Sequence, residues 1–316
     1  MPLPPSAAGA WDSAYHAPVM VSEVLDLLGG RPLVLDCTLG GGGHSAALLA
    51  SGSRVIAVDR DPAALAAARV RLAAAEREGR FAAHAGNYAH LDRIGALAGE
   101  RFDGILLDLG ISSHQIDAHD RGFTFREGAA LDMRMGEDAP LDAAGLLNTA
   151  DEGELARVFR DYGDERHATR LAREVVRRRE RRPFAVADDL VGAVRAVLGP
   201  RSGPGEFARL FQAVRIAVND ELAGLADALP ALRDRLALGG VLAVIAYHSG
   251  EDRLVKQAFR EWSADCICPP KQPMCTCRGH ALGETLTRRP LAAAADEVNR
   301  NPRARSARLR AWRSAA

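Results

Sequence analysis

The feature that most constrains this chain is the passage around residue 36. There the short apolar run Leu33-Val34-Leu35 enters Asp36-Cys37-Thr38-Leu39-Gly40-Gly41-Gly42-Gly43-His44, and an Ala/Leu-rich segment of helical character follows. Four successive glycines allow the backbone to turn tightly and to approach a ligand closely. A helix that starts at such a turn aims its first N–H groups at whatever binds there. Three further runs rich in apolar residues, at 55–58, 81–83 and 105–107, are each followed by a turn or a helical pattern. That rhythm predicts a parallel α/β sheet. Residues 62–77 repeat Ala, Leu and Arg at helical spacing behind Pro62, which suits a first helical turn, and so predict a crossover helix.

After Asp108 the rhythm stops for roughly ninety residues, far beyond the ~2–6 residues of an ordinary βα loop. An insertion is expected there. It begins with Gly, Phe, Met and Arg over 121–135, continues with helical patterns at 152–161 and 166–179, and ends near Gly203-Pro204-Gly205. A long helix over 206–229, stopped by Pro230, should precede a shorter helical stretch, Gly239-Gly240 and a further buried strand over 241–247. The expected organisation is a first core segment at 1–110, a mainly helical substrate-recognition insert at 111–204, and a second core segment with a basic tail at 205–316.

At 316 residues with 47% hydrophobic and 26% charged residues, the chain suits a soluble globular protein rather than a disordered one. The N-terminus has no basic segment leading into an apolar stretch, and no run of about 18 apolar residues occurs, so a cytoplasmic protein without a membrane span is expected. Formal net charge is zero, yet the charges are unevenly placed. Residues 288–316 hold eight arginines against Asp296 and Glu297, a net +6, and residues 170–182 include Arg177, Arg178, Arg179, Arg181 and Arg182. Each run is a candidate phosphate-binding surface, with solvated surface arginines as the bland reading.

The second run, 55–58, ends in Asp59, nineteen residues beyond Gly40, where a carboxylate can accept hydrogen bonds from two ribose hydroxyls. A dinucleotide fingerprint is weakened because Ser45 stands at its last glycine position. A P-loop fails because the only lysines are Lys256 and Lys271. The remaining common user of an acid-ended first strand, a glycine loop and a second acid is S-adenosylmethionine, with a pyridine nucleotide as the alternative. Tyr88 can stack on an adenine or belong to the core. Asp108 closes an apolar strand where open α/β sheets place their ligands, and there it can bind the amino acid moiety of the cofactor or orient an acceptor amine.

With these residues in view, the chain resembles the RsmH (MraW) family, the 16S ribosomal RNA cytosine-N4 methyltransferases. The likeness runs over nearly the whole sequence. It includes His16-Ala17-Pro18-Val19-Met20, 36–44, Asp59-Arg60-Asp61-Pro62, 103–115, Arg121-Gly122-Phe123-Thr124-Phe125, Leu131-Asp132-Met133-Arg134-Met135, Tyr162-Gly163-Asp164-Glu165-Arg166, 211–222 and Asn301-Pro302-Arg303. The resemblance implies a Rossmann-like S-adenosylmethionine-dependent methyltransferase sheet with an inserted helical domain. It implies N4-methylation of a cytidine in the decoding region of 16S ribosomal RNA, with that RNA or the small ribosomal subunit as partner. It also places cofactor contacts on Gly42, Gly43, His44, Asp59, Tyr88, Asp108 and Gln115, of which His44 and Gln115 rest on the resemblance alone. Family members usually carry Phe at the position of Tyr88. Two other departures bear on the target: Ala246-Tyr247-His248-Ser249-Gly250 stands where the family reads Ser-Phe-His-Ser-Leu, and 205–210 lacks the family's His-Pro-Ala-Thr-Arg start.

Methylating an exocyclic amine requires orienting a delocalised lone pair and accepting a proton. Asp108 with the Ser112 and Ser113 hydroxyls is the expected amine-aligning group, and no base of matched pKa is required because the amine becomes acidic once methylated. His248 is an alternative proton acceptor, with a purely structural histidine as the other reading. Asp132, Arg134, Phe123 and Phe125 either grip a flipped-out cytidine or pack the insert. Cys266-Ile267-Cys268 and Cys275-Thr276-Cys277 either hold a structural zinc or remain free thiols, and no metal is assigned. Competing functions are an amino-methyltransferase acting on another nucleic acid or a protein, an RNA-binding ribosome assembly factor, and, more distantly, a nicotinamide-dependent oxidoreductase. The oligomeric state is open, a homodimer included.

Overall fold

The computed structural model describes residues 11–13, 17–269, 272 and 274–315, together with the backbone but not the side chain of Ser113. His16 and Lys271, named above, lie outside the described residues. The described chain divides into two units, Met1–Gly110 with Leu222–Ala316, and Ile111–Glu221.

The first unit is built on eight strands: β1 (Leu33–Asp36), β2 (Arg54–Asp59), β3 (Phe81–Ala85), β4 (Phe102–Asp108), β5 (Leu236–Ala246), β6 (Gly283–Thr285), β7 (Leu291–Ala292) and β8 (Arg308–Ser314). They form one sheet in the order β3-β2-β1-β4-β5-β8-β6, with β7 also paired to β8. The first five strands are mutually parallel, and β8 runs antiparallel to β5, β6 and β7. Helices α1 (Val21–Leu28), α2 (Gly43–Ala50) and α3 (Pro62–Arg77) belong to this unit. Side chains alternate across a strand, so a sheet covered on both faces needs apolar residues at every position. The strands meet that demand: Val34, Leu106, Val241, Ala243 and Ile245 enter one core, while Leu35, Ile105, Leu107, Leu242 and Val244 enter the other. At the start of α3, Pro62 takes the first turn and the Asp61 carboxylate accepts from the Ala63 N–H at 3.0 Å.

The second unit is helical: α4 (Ser113–Asp117), α5 (Ala143–Thr149), α6 (Glu152–Arg157), α7 (Ala168–Arg179), α8 (Ala187–Leu198) and α9 (Pro204–Asn219). It has its own apolar core, centred on Leu147, Leu155, Phe159, Leu171, Val175, Leu190, Val194 and Leu210. Asp142 and Asp151 cap α5 and α6 by accepting from the N–H groups of Gly145 and Glu154 at 2.6 and 2.8 Å.

Three expectations change. The second division of the chain falls after Glu221 rather than near residue 204, because Phe207, Leu210, Phe211 and Val214 of α9 bury their side chains in the insert's core. The expected helix over 206–229 is two helices, α9 and α10 (Glu221–Arg233). Asp220 adopts left-handed geometry (φ 51°), which Asp tolerates better than most residues, and Pro230 lies within α10 instead of ending it. The basic C-terminal segment is in good part sheet. Trp312 is fully buried, and Arg310, 7% exposed, makes a bidentate ion pair with Asp252 (2.7 and 3.0 Å) on α11 (Ser249–Trp262). Arg288, Arg289, Arg303, Arg305 and Arg300, the last at the end of α12 (Ala295–Arg300), remain exposed. In the other basic run, Glu174 pairs with both Arg177 and Arg178, and Arg182 pairs with Asp189. No helix of the described residues is long and apolar enough to cross a membrane.

Candidate functional site

In the first unit the chain order reverses beside β1: β2 and β3 lie on one side, β4 and β5 on the other. Ligands of open α/β sheets bind outside the carboxyl ends of strands at such a switch point. Three carboxylates stand there. The register sets Asp36 beside Ala57 and Leu106, so Asp59 and Asp108 each reach two residues past it on the flanking strands.

The turn after β1 holds these acids. Gly40 and Gly42 have φ of 50° and 73°, a region where a side chain would be strained, and Gly42 begins α2 with no side-chain cap. A β-carbon on Gly43 would lie 2.7 to 3.0 Å from the Pro18 ring. Asp59 receives the Gly40 N–H at 2.8 Å and the Asp61 N–H at 2.9 Å. Even so, burial pushes its carboxyl up to about 6. Asp36 accepts from the Ser45 hydroxyl at 2.7 Å and the Thr38 N–H at 3.2 Å, and burial raises its pKa as well.

Asp108 sits in the most developed of these environments. Its backbone N–H donates to the Thr38 hydroxyl at 2.7 Å, and its Oδ1 accepts from the Tyr247 hydroxyl at 2.8 Å. His44 Nδ1 lies 3.7 Å from Oδ2, with both side chains at most 10% exposed. The His44 Nε2 is 2.8 Å from the Val19 carbonyl, which can only accept, so Nε2 carries the hydrogen. Nδ1 is then the ring nitrogen that faces Asp108 Oδ2. Burial pushes Asp108 up to about 6, against the opposing pull of His44 and the Tyr247 hydroxyl. Tyr247 itself is raised well above the ordinary phenol by burial and by the Asp108 charge.

Of the residues expected from sequence, Gly42, Gly43, His44, Asp59 and Asp108 thus share one end of one sheet. Tyr88 opens a 3₁₀ turn (Tyr88–Arg93) just after β3 and is half-buried against the core that holds Leu35 and Val58, so its ring has a packing role. His248 caps α11: its ring nitrogen lies 3.5 Å from the Glu251 N–H, while the Glu251 carboxylate accepts from the N–H groups of Tyr247 and His248 at 2.8 and 3.3 Å. That is a structural use of His248 as a helix cap.

In the second unit, Ser112 and Gln115 form the capping box of α4. The Ser112 hydroxyl accepts the Gln115 N–H at 3.2 Å, and the Gln115 side-chain oxygen accepts the Ser112 N–H at 3.0 Å. The Ser113 side chain lies outside the described residues. Phe123 is in the core of the insert, Phe125 packs edge-on against Phe207 and Phe211 (5.9 and 6.0 Å), and Arg134 is held bidentate by Asp132. The two phenylalanines pack the insert, while Arg134 and Asp132 form an ion pair at its surface. Sequence reading passed over Tyr247 as a partner of Asp108; its one available signal was a hydroxyl-bearing ring at the end of a buried strand.

The sequence profile of the MraW methylase family matches residues 13–315. The chain is 66% identical to the ribosomal RNA small subunit methyltransferase H of Gemmatimonas aurantiaca over 98% of each chain. Proteins of the same name from Heliobacterium modesticaldum and Myxococcus xanthus are 48% and 46% identical, over 94% and 93% of this chain and 97% and 96% of theirs. With a profile match across nearly its whole length and relatives this close, the chain belongs to the MraW methylase family.

Proposed function

We propose that the protein transfers a methyl group from S-adenosylmethionine to the N4 amine of a cytidine in the decoding region of 16S ribosomal RNA, acting in the cytoplasm on that RNA or on the small ribosomal subunit. The observation that carries the reading is the trio of carboxylates, the buried Asp36 and the partly buried Asp59 and Asp108, around a glycine turn at the switch point. Such a site disfavours a dinucleotide, whose pyrophosphate would be set against three acids, and favours a ligand with a positive centre. S-adenosylmethionine supplies an electrophilic methyl group on a sulfonium. The relatives' names, which specify ribosomal RNA of the small subunit, supply the substrate class.

Each side chain then has a definable task. Asp59 sits where a ribose would present its hydroxyls. Gly42 and Gly43 let the backbone and the first turn of α2 come close to the ligand. Asp108, ionised above about pH 6, accepts a hydrogen bond from the amine and turns the nitrogen lone pair toward the methyl carbon. The bound cofactor would supply the electrophilic methyl group with its thioether as leaving group, and Asp108 would accept the proton the amine loses and pass it to solvent. Tyr247 fixes the orientation of Asp108.

The test is transfer of a labelled methyl group to small ribosomal subunits and to naked 16S RNA, followed by nucleoside analysis. Label in N4-methylcytidine is the expected result. Label in another nucleoside, or none in either RNA, would overturn the assignment.

A further inference from the structure

The function above makes no use of the four cysteines between α11 and β6. We infer that Cys266, Cys268, Cys275 and Cys277 form a tetrathiolate site for a structural zinc ion. All four sulfurs lie within 4.8 Å of one another. The separations Cys266–Cys275, Cys268–Cys275, Cys275–Cys277 and Cys266–Cys277 are 3.7, 3.9, 3.4 and 3.8 Å. In a tetrahedral site with Zn–S bonds of about 2.3 Å, the edge between sulfurs is about 3.8 Å. Four of the six separations between the sulfurs thus lie close to that edge, on two C-x-C arms brought face to face.

Two further observations point to the same ligand. The N–H at the centre of each arm donates to a sulfur of the other: Ile267 to Cys277 Sγ and Thr276 to Cys268 Sγ, both at 3.4 Å. Backbone donors of this kind stabilise the negative sulfurs of a metal site and fix their direction. In addition, none of the described residues from 263 to 280 is buried, and Ile267 and Met274 are 46% and 76% exposed. The segment has no apolar core of its own to draw four thiols together, and a metal–thiolate cluster is what small coreless loops use instead. Gln272 closes the turn between the arms by donating to Met274 O and the Thr276 hydroxyl at 3.0 and 2.7 Å. Arg278 ties the loop to the end of α11 through the carbonyls of Glu261 and Ala264.

The test uses the full chain, purified under reducing conditions without chelator, with metal content read by plasma mass spectrometry. About one zinc per chain is expected, and a Cys266→Ser/Cys275→Ser double variant should retain less than about a tenth of it. Cobalt added to the zinc-stripped protein should give the intense visible bands and thiolate charge transfer of a tetrahedral sulfur site. In the wild-type chain alone, four thiols should become reactive only when the metal is withdrawn, a readout that holds even if the variant does not fold. Zinc retained by the double variant, a six-coordinate cobalt spectrum, iron in place of zinc, or two disulfides found by mass would each overturn the inference.

Discussion

Replacing Asp108 by Asn should stabilise the protein while disabling it. In Asp108→Asn the side-chain oxygen still accepts from Tyr247, and the amide NH₂ stands where Oδ2 was, facing His44 Nδ1. The shape is kept and a buried charge is lost. Because the folded carboxyl titrates near 6 rather than at its ordinary 3.8, the native state holds its proton more tightly than the unfolded chain does. Stability must then fall as pH rises from about 4 to about 6 and stay lowered above that. At about 1.4 kcal/mol per pKa unit, burying the ionised form costs up to about 3 kcal/mol at neutral pH. The variant escapes that cost, and at about 2–4 °C per kcal/mol its midpoint should rise by up to about 6–12 °C. The assay is thermal unfolding without ligand at pH 7.5 and again near pH 4, paired with methyl transfer. The advantage should shrink toward zero at the lower pH, and kcat should drop by about 10²-fold or more. An Asn variant that melts no higher than wild type at pH 7.5, a gain independent of pH, or near-normal turnover would refute the account of Asp108.

Other consequences follow from the same geometry. The kcat/KM of the wild-type enzyme should rise with pH through about 6 as Asp108 ionises. Since the Tyr247 hydroxyl holds that pKa down, Tyr247→Phe should move this limb to higher pH, and an unmoved limb would detach Tyr247 from the reaction. Asp59→Ala leaves the Gly40 and Asp61 N–H groups without their carboxylate, and calorimetry should show S-adenosylmethionine binding weakened by about tenfold or more, the usual result of losing a charged hydrogen-bond partner. Gly43→Ala forces a methyl against Pro18 and should cost about 1–3 kcal/mol in denaturant unfolding. Arg310→Ala leaves Asp252 without its partner and should lower stability by about 3 kcal/mol without changing the salt dependence of RNA binding. Removing exposed Arg289 or Arg305 should do the opposite, reducing the salt slope by about 0.7–0.9 for each phosphate no longer neutralised.

The sequence by itself determined what depends on neighbours along the chain. Alternating apolar strands, the glycine turn before α2, the insertion after β4 and the acids that end β2 and β4 are all local patterns. Strand order then carries Asp59 and Asp108 to the same edge, because parallel strands align their carboxyl ends. Only tertiary structure decided what depends on residues far apart. Tyr247 and Asp108 are 139 positions apart and meet because β5 pairs with β4. Arg310 looked like a free cation for phosphate until the β5–β8 pairing set it beside Asp252. Phe125 was open to stacking or packing in the sequence, and the rings of α9 are what it packs against. Helix α9 changes sides of the expected boundary for the same reason: periodicity marks which of its faces is apolar, while the core that receives this face is a property of the whole fold. Spacing likewise exposes two C-x-C arms, but only the closed loop brings four sulfurs within reach of one ion, since convergence in space is not written in distance along the chain.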